Sequence, residues 1–315
     1  MARQFADRLL QAIAEKGTPV VVALDPVYGQ LPEELREHPA FNDEHDVQAA
    51  LGAILEFCRR VIRLTAPLVP AIKINSACFE RYFGEGVDAY FQVVEEARGH
   101  GLLVIGDVKR GDVGHTAELY AAGHLAAVEF VDMEERNMPD AVTLSGYLGL
   151  DGVKPFLDIA ATQGKGVFVL VRTSNPSAAG IQDARLADGR KVHETLAELV
   201  AQWAADARLV GEGGYSSLGA VTATRDPSDA ANLRRLMPQS ILLVPGYGAQ
   251  GGRAEDFVPY FAPDGRGALV AAGRSLIFAY QQPKYVEMCG GRWEQCVEQA
   301  CRDTIADLAG VLPPK

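Results

Sequence analysis

The sequence predicts an α/β fold, a (β/α)8 TIM barrel with added helices in the connections after the first and fifth strands, and residues 1–315 read as a single domain. Three observations predict it: eight short apolar, β-branched runs, an amphipathic stretch after most of them, and charged or hydroxyl residues where the runs end. Val, Ile and Leu runs without polar alternation indicate strands buried on both faces, as in a parallel sheet covered by helices. Eight such units in a chain of this size most simply close into a barrel. A doubly wound open sheet uses the same elements and stays open as the competing architecture.

The runs are residues 19–24, 68–74, 102–106, 141–144, 167–171, 218–222, 241–244 and 268–272. The N-terminal MARQFADRLLQAIAEKG places apolar residues at helical spacing and lacks the apolar core and cleavage site of a signal peptide. Two connections exceed a minimal unit. Residues 26–67 hold a Pro- and Glu-rich segment and then an apolar-periodic helix around Val47 to Leu64, predicted as an added helix beside the barrel. Residues 173–217 begin Thr-Ser-Asn-Pro and run through a polar loop to a helix near Val192 to Ala207; a loop of that length in a compact barrel reads as a working lid.

The composition, 48% hydrophobic and 23% charged, is that of a soluble globular chain. Its net charge of -11 opposes nucleic acid and anionic membranes, so a phosphorylated ligand needs a local cationic site and the expected partner is a small molecule. Five cysteines without CxxC spacing read as reduced thiols, and no apolar run reaches the ~18 residues of a membrane span. The expected location is cytoplasmic.

In such a barrel the working groups project from the C-terminal strand ends. Here these are Asp25, Lys73, Asp107 with Lys109, Ser145, Thr173 with Ser174, Thr224 with Arg225, Pro245 with Gly246, and Gly273 with Arg274. Asp107 and Lys109 are two apart, so in a continued strand both face the barrel interior and touch. Asp112 and Thr116 are four apart at the expected start of the next helix and share one of its faces. Lys73, amid Ala71-Ile72-Lys73-Ile74-Asn75, needs a carboxylate partner if buried. Alternating Lys and Asp would hold each ammonium protonated and each carboxylate ionised. After the seventh run, Gly246, Gly248 and Gly251 form a literal GxGxxG, but a proline precedes it and the next strand ends in Gly-Arg, with no acidic residue for a ribose. Loops seven and eight instead suit a phosphate, through glycine N–H groups, Gln250 and the forked Arg274. No GxSxG, HExxH or P-loop occurs, and His115 reads as an exposed helix residue.

The strings GDVKRGDVGHT from Gly106, LDP from Leu24, TSNP from Thr173, PGYGAQGG from Pro245 and GRS from Gly273 together resemble orotidine 5'-phosphate decarboxylase of the longer bacterial type, in nearly all eight strand ends and in order. The resemblance implies that Asp25 and Lys73 bind ribose hydroxyls, Asp107 faces the substrate carboxylate and Lys109 delivers a proton to C6. It also implies that Asp112 and Thr116 reach into a partner's site in a homodimer, and that Ser174 contacts the pyrimidine. Gln250, Arg274 and the Gly273 backbone would grip phosphate and Pro245 line the pocket, with no cofactor or metal. Val113 stands where the family usually has isoleucine, and Ile74 where proline often follows the lysine. Two rivals remain at this point: a Mg2+-dependent sugar-phosphate decarboxylase or aldolase sharing D-x-K-x-x-D, which needs a carboxylate where Lys73 stands, and a non-catalytic barrel that binds a phosphorylated nucleotide.

Overall fold

The computed structural model describes residues 2–130, 137–224 and 226–313; Arg225, named above at the sixth strand end, lies outside them. Eight parallel strands close into a barrel in sequence order, which removes the open-sheet alternative. They are β1 (Val20–Leu24), β2 (Ala71–Asn75), β3 (Leu103–Arg110), β4 (Ala141–Ser145), β5 (Gly166–Arg172), β6 (Ser216–Thr222), β7 (Ser240–Pro245) and β8 (Ala268–Ala272). β1 pairs with β8 through Val20 and Val270, closing the ring without a free edge.

The helix α1 (Phe5–Lys16) precedes β1. After β1 come α2 (Glu33–Arg36) and α3 (Val47–Thr65), and after β2, α4 (Ala77–Glu80) and α5 (Phe83–Gly99). β3 leads to α6 (Gly114–His124), β4 to α7 (Leu150–Gln163), and β5 to α8 (Ala179–Gln182) and α9 (Val192–Ala204). α10 (Pro227–Leu236) follows β6, α11 (Ala254–Phe257) follows β7, and α12 (Arg274–Ile277), α13 (Pro283–Cys289) and α14 (Trp293–Ala309) follow β8. Among the described residues no helix is long and apolar enough to cross a membrane.

Two sequence expectations need correction here. The helix at Val47 is not an addition: α3, capped by the Asp46 carboxylate, packs between α5 and α14 in the outer ring and is itself the β1–β2 crossover. The additions in that connection are α2 and the 3-10 turn Tyr28–Gln30; in the β5 connection they are α8 and the turn Pro176–Ala178. β2 starts at Ala71 instead of Leu68, because the amides of Leu68 and Val69 still donate to the Thr65 carbonyl at the end of α3.

The core has two layers. Outward strand residues such as Val22, Ile72, Val104 and Val142 pack under the helices, while Val21, Ala71, Ile105, Ala141, Ile241 and Leu269 fill the lower barrel. That inner layer is sealed from below by α1, whose Phe5, Ala6 and Leu9 join it. Phe5 meets Phe168 edge to face at 6.0 Å and occupies the space beside Gly166, where a Cβ would lie 2.3 Å from its ring. With its N-terminal end plugged by α1, the barrel opens at the C-terminal mouth.

Candidate active site

Period-two alternation builds the mouth. Ala23 and Asp25, Lys73 and Asn75, Asp107, Thr143, Leu170, Val221, Leu243 and Pro245, and Ala271 and Gly273 line one cavity of about 500 Å³. Each pair continues the inward face of its own strand above the apolar layer, so the polar ring needs no irregular backbone until β3.

Asp107 is the centre of that ring. One carboxylate oxygen contacts the Lys73 ammonium; the other accepts from Lys109 Nζ at 2.6 Å and from the Thr143 hydroxyl at 2.9 Å. Burial alone would raise the pKa of Asp107, but Lys73 and then Lys109 outweigh it and bring the value down to about 2. Lys73 is 8% exposed; burial favours its neutral amine, yet Asp107 and Asp25 raise its pKa above the ordinary lysine value. Lys73 Nζ lies 3.8 Å from Asp25 Oδ1, a buried oxygen with no hydrogen-bond partner. Of the Lys, Asp, Lys, Asp alternation expected from the sequence, Lys73, Asp107 and Lys109 adjoin in space, while the second carboxylate beside them is Asp25 and not Asp112.

Lys109 reaches this ring through an irregularity. Gly106 pairs with Val142 and Arg110 with Leu144, so β3 spends four residues where β4 spends two. Within that bulge Lys109 has φ +45°, a left-handed conformation that costs a non-glycine residue about 1–2 kcal/mol. Its amide donates to Thr143 Oγ1 at 3.0 Å. Strain at the one half-exposed ammonium of the cluster is characteristic of a working residue.

Around the rim, Ser275 Oγ donates to the Tyr247 carbonyl at 3.2 Å and ties the β8 loop to the β7 loop, close enough that a Cβ on Gly248 would lie 2.6 Å from it. Gln250, Gly273 and Arg274 line the same cavity from these loops. Ser174 does so from the β5 loop, which is a folded segment tied down at its base, in place of the polar loop expected. Arg172 makes a two-point bond to Asp183 at 3.0 and 2.9 Å, Gln182 Nε2 donates to the Thr173 hydroxyl, and the Gln182 carbonyl contacts His193 Nδ1.

Of the residues singled out from sequence, Asp25, Lys73, Asp107, Lys109, Ser174, Pro245, Gln250, Gly273 and Arg274 converge on the cavity. Asp112 and Thr116 do not line it. Nor do they share a helical face, because α6 begins at Gly114 behind the extended Val113 and Asp112 precedes the helix altogether. The glycine loop also differs from expectation: the amides of Gly248, Gly251 and Gly252 donate to carbonyls of the same turn. Thr143 was missed, although it stands two residues before Ser145 on an inward face, and Asn75 likewise two after Lys73.

A profile of the orotidine 5'-phosphate decarboxylase / HUMPS family matches residues 18–288. A Rhodopirellula baltica protein named orotidine 5'-phosphate decarboxylase is 38% identical over 97% of this chain and 99% of its own. One of the same name from Caldicellulosiruptor bescii is 32% identical over 88% and 90%. Among solved structures, a Streptomyces avermitilis chain provisionally assigned the same name superposes with a TM-score of 0.77 at 28% identity, covering 98% of this chain and 96% of that one. The Leishmania donovani OMP decarboxylase gives 0.70 at 25%, covering 98% of each. By sequence and by fold, this chain belongs to the orotidine 5'-phosphate decarboxylase / HUMPS family.

Proposed function

We propose that this barrel removes CO2 from orotidine 5'-phosphate to give uridine 5'-phosphate, the last step of de novo UMP synthesis, with Lys109 as proton donor. The observation that carries the assignment of roles is the buried Asp107 carboxylate clamped between the ammoniums of Lys73 and Lys109 at the floor of a cavity of about 500 Å³. Breaking the bond from C6 to the carboxylate leaves an electron pair on an sp2 carbon with no conjugated sink, a barrier that enzymes lower by up to about 23 kcal/mol. A fixed ammonium stabilises that pair as it develops and then protonates C6. Lys109 suits both steps: its carboxylate neighbour keeps it aimed, and its half-exposed side chain can recover a proton from water. Asp107, held ionised, faces the departing carboxylate.

Asp25, with an orphaned buried oxygen, and Lys73 supply partners for ribose hydroxyls. Gln250, Arg274 and the Gly273 backbone take the phosphate, Pro245 packs beside the ligand, and Ser174 meets the pyrimidine from the β5 loop. Phosphate contacts remote from C6 can hold that loop closed, turning affinity into rate. The reading needs no cofactor. A Mg2+ site at this mouth would want oxygen ligands where the Lys73 ammonium lies between Asp25 and Asp107.

The same proposal places the enzyme in the cytoplasm, where its five free thiols stay reduced, as one domain over residues 1–315 acting in a homodimer. Asp112 and Thr116 then belong to the partner's site. What supports this is their position off their own cavity, beside exposed Val113, Leu119, Tyr147 and Leu148. Mixing a Lys109→Ala chain with an Asp112→Asn chain should restore about a quarter of wild-type sites, since half the dimers are mixed and each holds one intact site. No gain over either variant alone would refute shared sites.

The reaction itself is tested by incubating the protein with orotidine 5'-phosphate and a chelator while following the fall in pyrimidine absorbance. Turnover is expected. Tight binding without turnover would favour a nucleotide-binding barrel, and activity only on sugar phosphates with Mg2+ would favour the metal-dependent relatives.

A further inference from the structure

The bulge that presents Lys109 ends at Arg110, and the Arg110 side chain bonds three separate elements. Nη1 donates to the Val108 carbonyl at 3.1 Å inside the bulge, Nη2 contacts Glu80 at the end of α4, and Nε donates to His124 Nε2 at 3.0 Å on α6. The Tyr120 ring lies 5.8 Å from the guanidinium and stacks beside His124. His124 is held neutral and able to accept, because burial and then Arg110 lower its pKa to about 4. Val108 is 4% exposed, so its carbonyl has little access to water in place of the guanidinium.

We propose that Arg110 is a positioning residue for the proton transfer: by bridging the Val108 carbonyl, Glu80 and His124 it fixes the bulge that turns Lys109 into its left-handed conformation and points its ammonium at Asp107. The single peptide unit between Val108 and Lys109 is thereby held at both ends, its amide by Thr143 and its carbonyl by Arg110. An ordinary surface Arg–Glu pair is worth little, but here one planar fork joins β3 to two helices flanking the mouth. A lysine, with a single point of charge, cannot reproduce the three directions. The inference rests on Lys109 being the proton donor.

The test compares Arg110→Met, Arg110→Lys, Glu80→Gln and the double variant in the full chain, reading kcat, KM, the melting temperature and the Kd for uridine 5'-phosphate. A misplaced donor costs about 100-fold in rate. Arg110→Met should therefore lose about that factor in kcat with KM and product affinity within about threefold, and Arg110→Lys should not rescue it. Glu80→Gln should lose about tenfold, and the double variant should be no worse than Arg110→Met, since Glu80 acts through the guanidinium. Wild-type kcat in a folded Arg110→Met, or parallel loss of kcat and product affinity, overturns the proposal. If Arg110→Met does not fold, an unchanged kcat in Glu80→Gln overturns it equally. A wild-type protein that does not turn over orotidine 5'-phosphate overturns the donor assignment and this inference together, whereas an active wild type with indifferent variants overturns this inference alone.

Discussion

Two buried aspartates each sit among cations at opposite ends of the barrel. At the mouth, Asp107 lies between Lys73 and Lys109. At the plugged end, Asp140, 1% exposed, accepts from Arg8 of α1 at 2.8 Å, from Arg98 of α5 at 2.7 Å and from the Val104 amide at 2.9 Å. In both, burial opposes the charge and the neighbours reverse it: Lys73 and Lys109 for Asp107; Arg98, the Val104 amide and Arg8 for Asp140. A lowered carboxylate pKa thus fails to tell a catalytic cluster from a structural one. The partners do tell them apart. Arginine never releases its proton and its fork locks three elements of the barrel floor together, whereas lysine is a point charge that can give a proton away, and the lysine cluster borders the cavity at the mouth.

The largest expected effects separate the two ends. Lys109→Ala should lower kcat/KM by about 10,000-fold or more, with stability changed by less than about 1 kcal/mol because the side chain is half exposed. Asp140→Ala should leave Arg8 and Arg98 uncompensated and cost about 3–5 kcal/mol, with kcat per folded molecule preserved. Paired denaturation curves and progress curves decide this, and a folded but inactive Asp140→Ala would collapse the distinction.

A second effect concerns acid. With a folded pKa of about 2 against 3.8 ordinarily, Asp107 contributes stability that is present above about pH 4 and lost as pH falls toward 2. The contribution is on the order of 2 kcal/mol. Asp107→Asn should therefore lose less stability than wild type over that interval in urea titrations; an equally steep loss would show that Asp107 is not ionised in the fold.

A further effect lies at alkaline pH and runs in the same direction. Lys165, beside Asp140, donates to the Pro139 carbonyl at 2.7 Å, yet burial, with smaller contributions from Arg98 and Arg8, lowers its pKa to about 8. Between pH 8 and the ordinary lysine value of 10.5 the unfolded chain binds the proton and the folded one has released it, so stability rises with pH, by up to about 3 kcal/mol. Lys165→Met should abolish that rise; its persistence would assign it elsewhere.

These two clusters also show what a sequence discloses. Asp107 and Lys109 share a strand end and a period-two spacing, and Lys73 stands out inside an apolar run, so local pattern was enough. Asp140 precedes a strand, and its partners come from residues 8, 98 and 104; no local pattern joins them. Eight strands were legible because each is a continuous apolar run, but Thr143 was passed over because a threonine inside Ala-Val-Thr-Leu-Ser looks like ordinary strand. Asp112 and Thr116 do not share a helix because Val113 is extended and α6 starts only at Gly114, two residues after Asp112. The β3 bulge had no signal either: positive φ at a lysine is a tertiary fact.

The plug at the barrel floor has a consequence for synthesis. α1 emerges from the ribosome before the barrel that it seals, yet its Asp7 carboxylate receives the amides of Glu212 and Gly213, 205 and 206 residues later, and its Phe5 waits for Phe168. A helix that precedes every strand is among the last elements to dock, and until then its apolar face and the open floor of the nascent sheet must both be kept from other company.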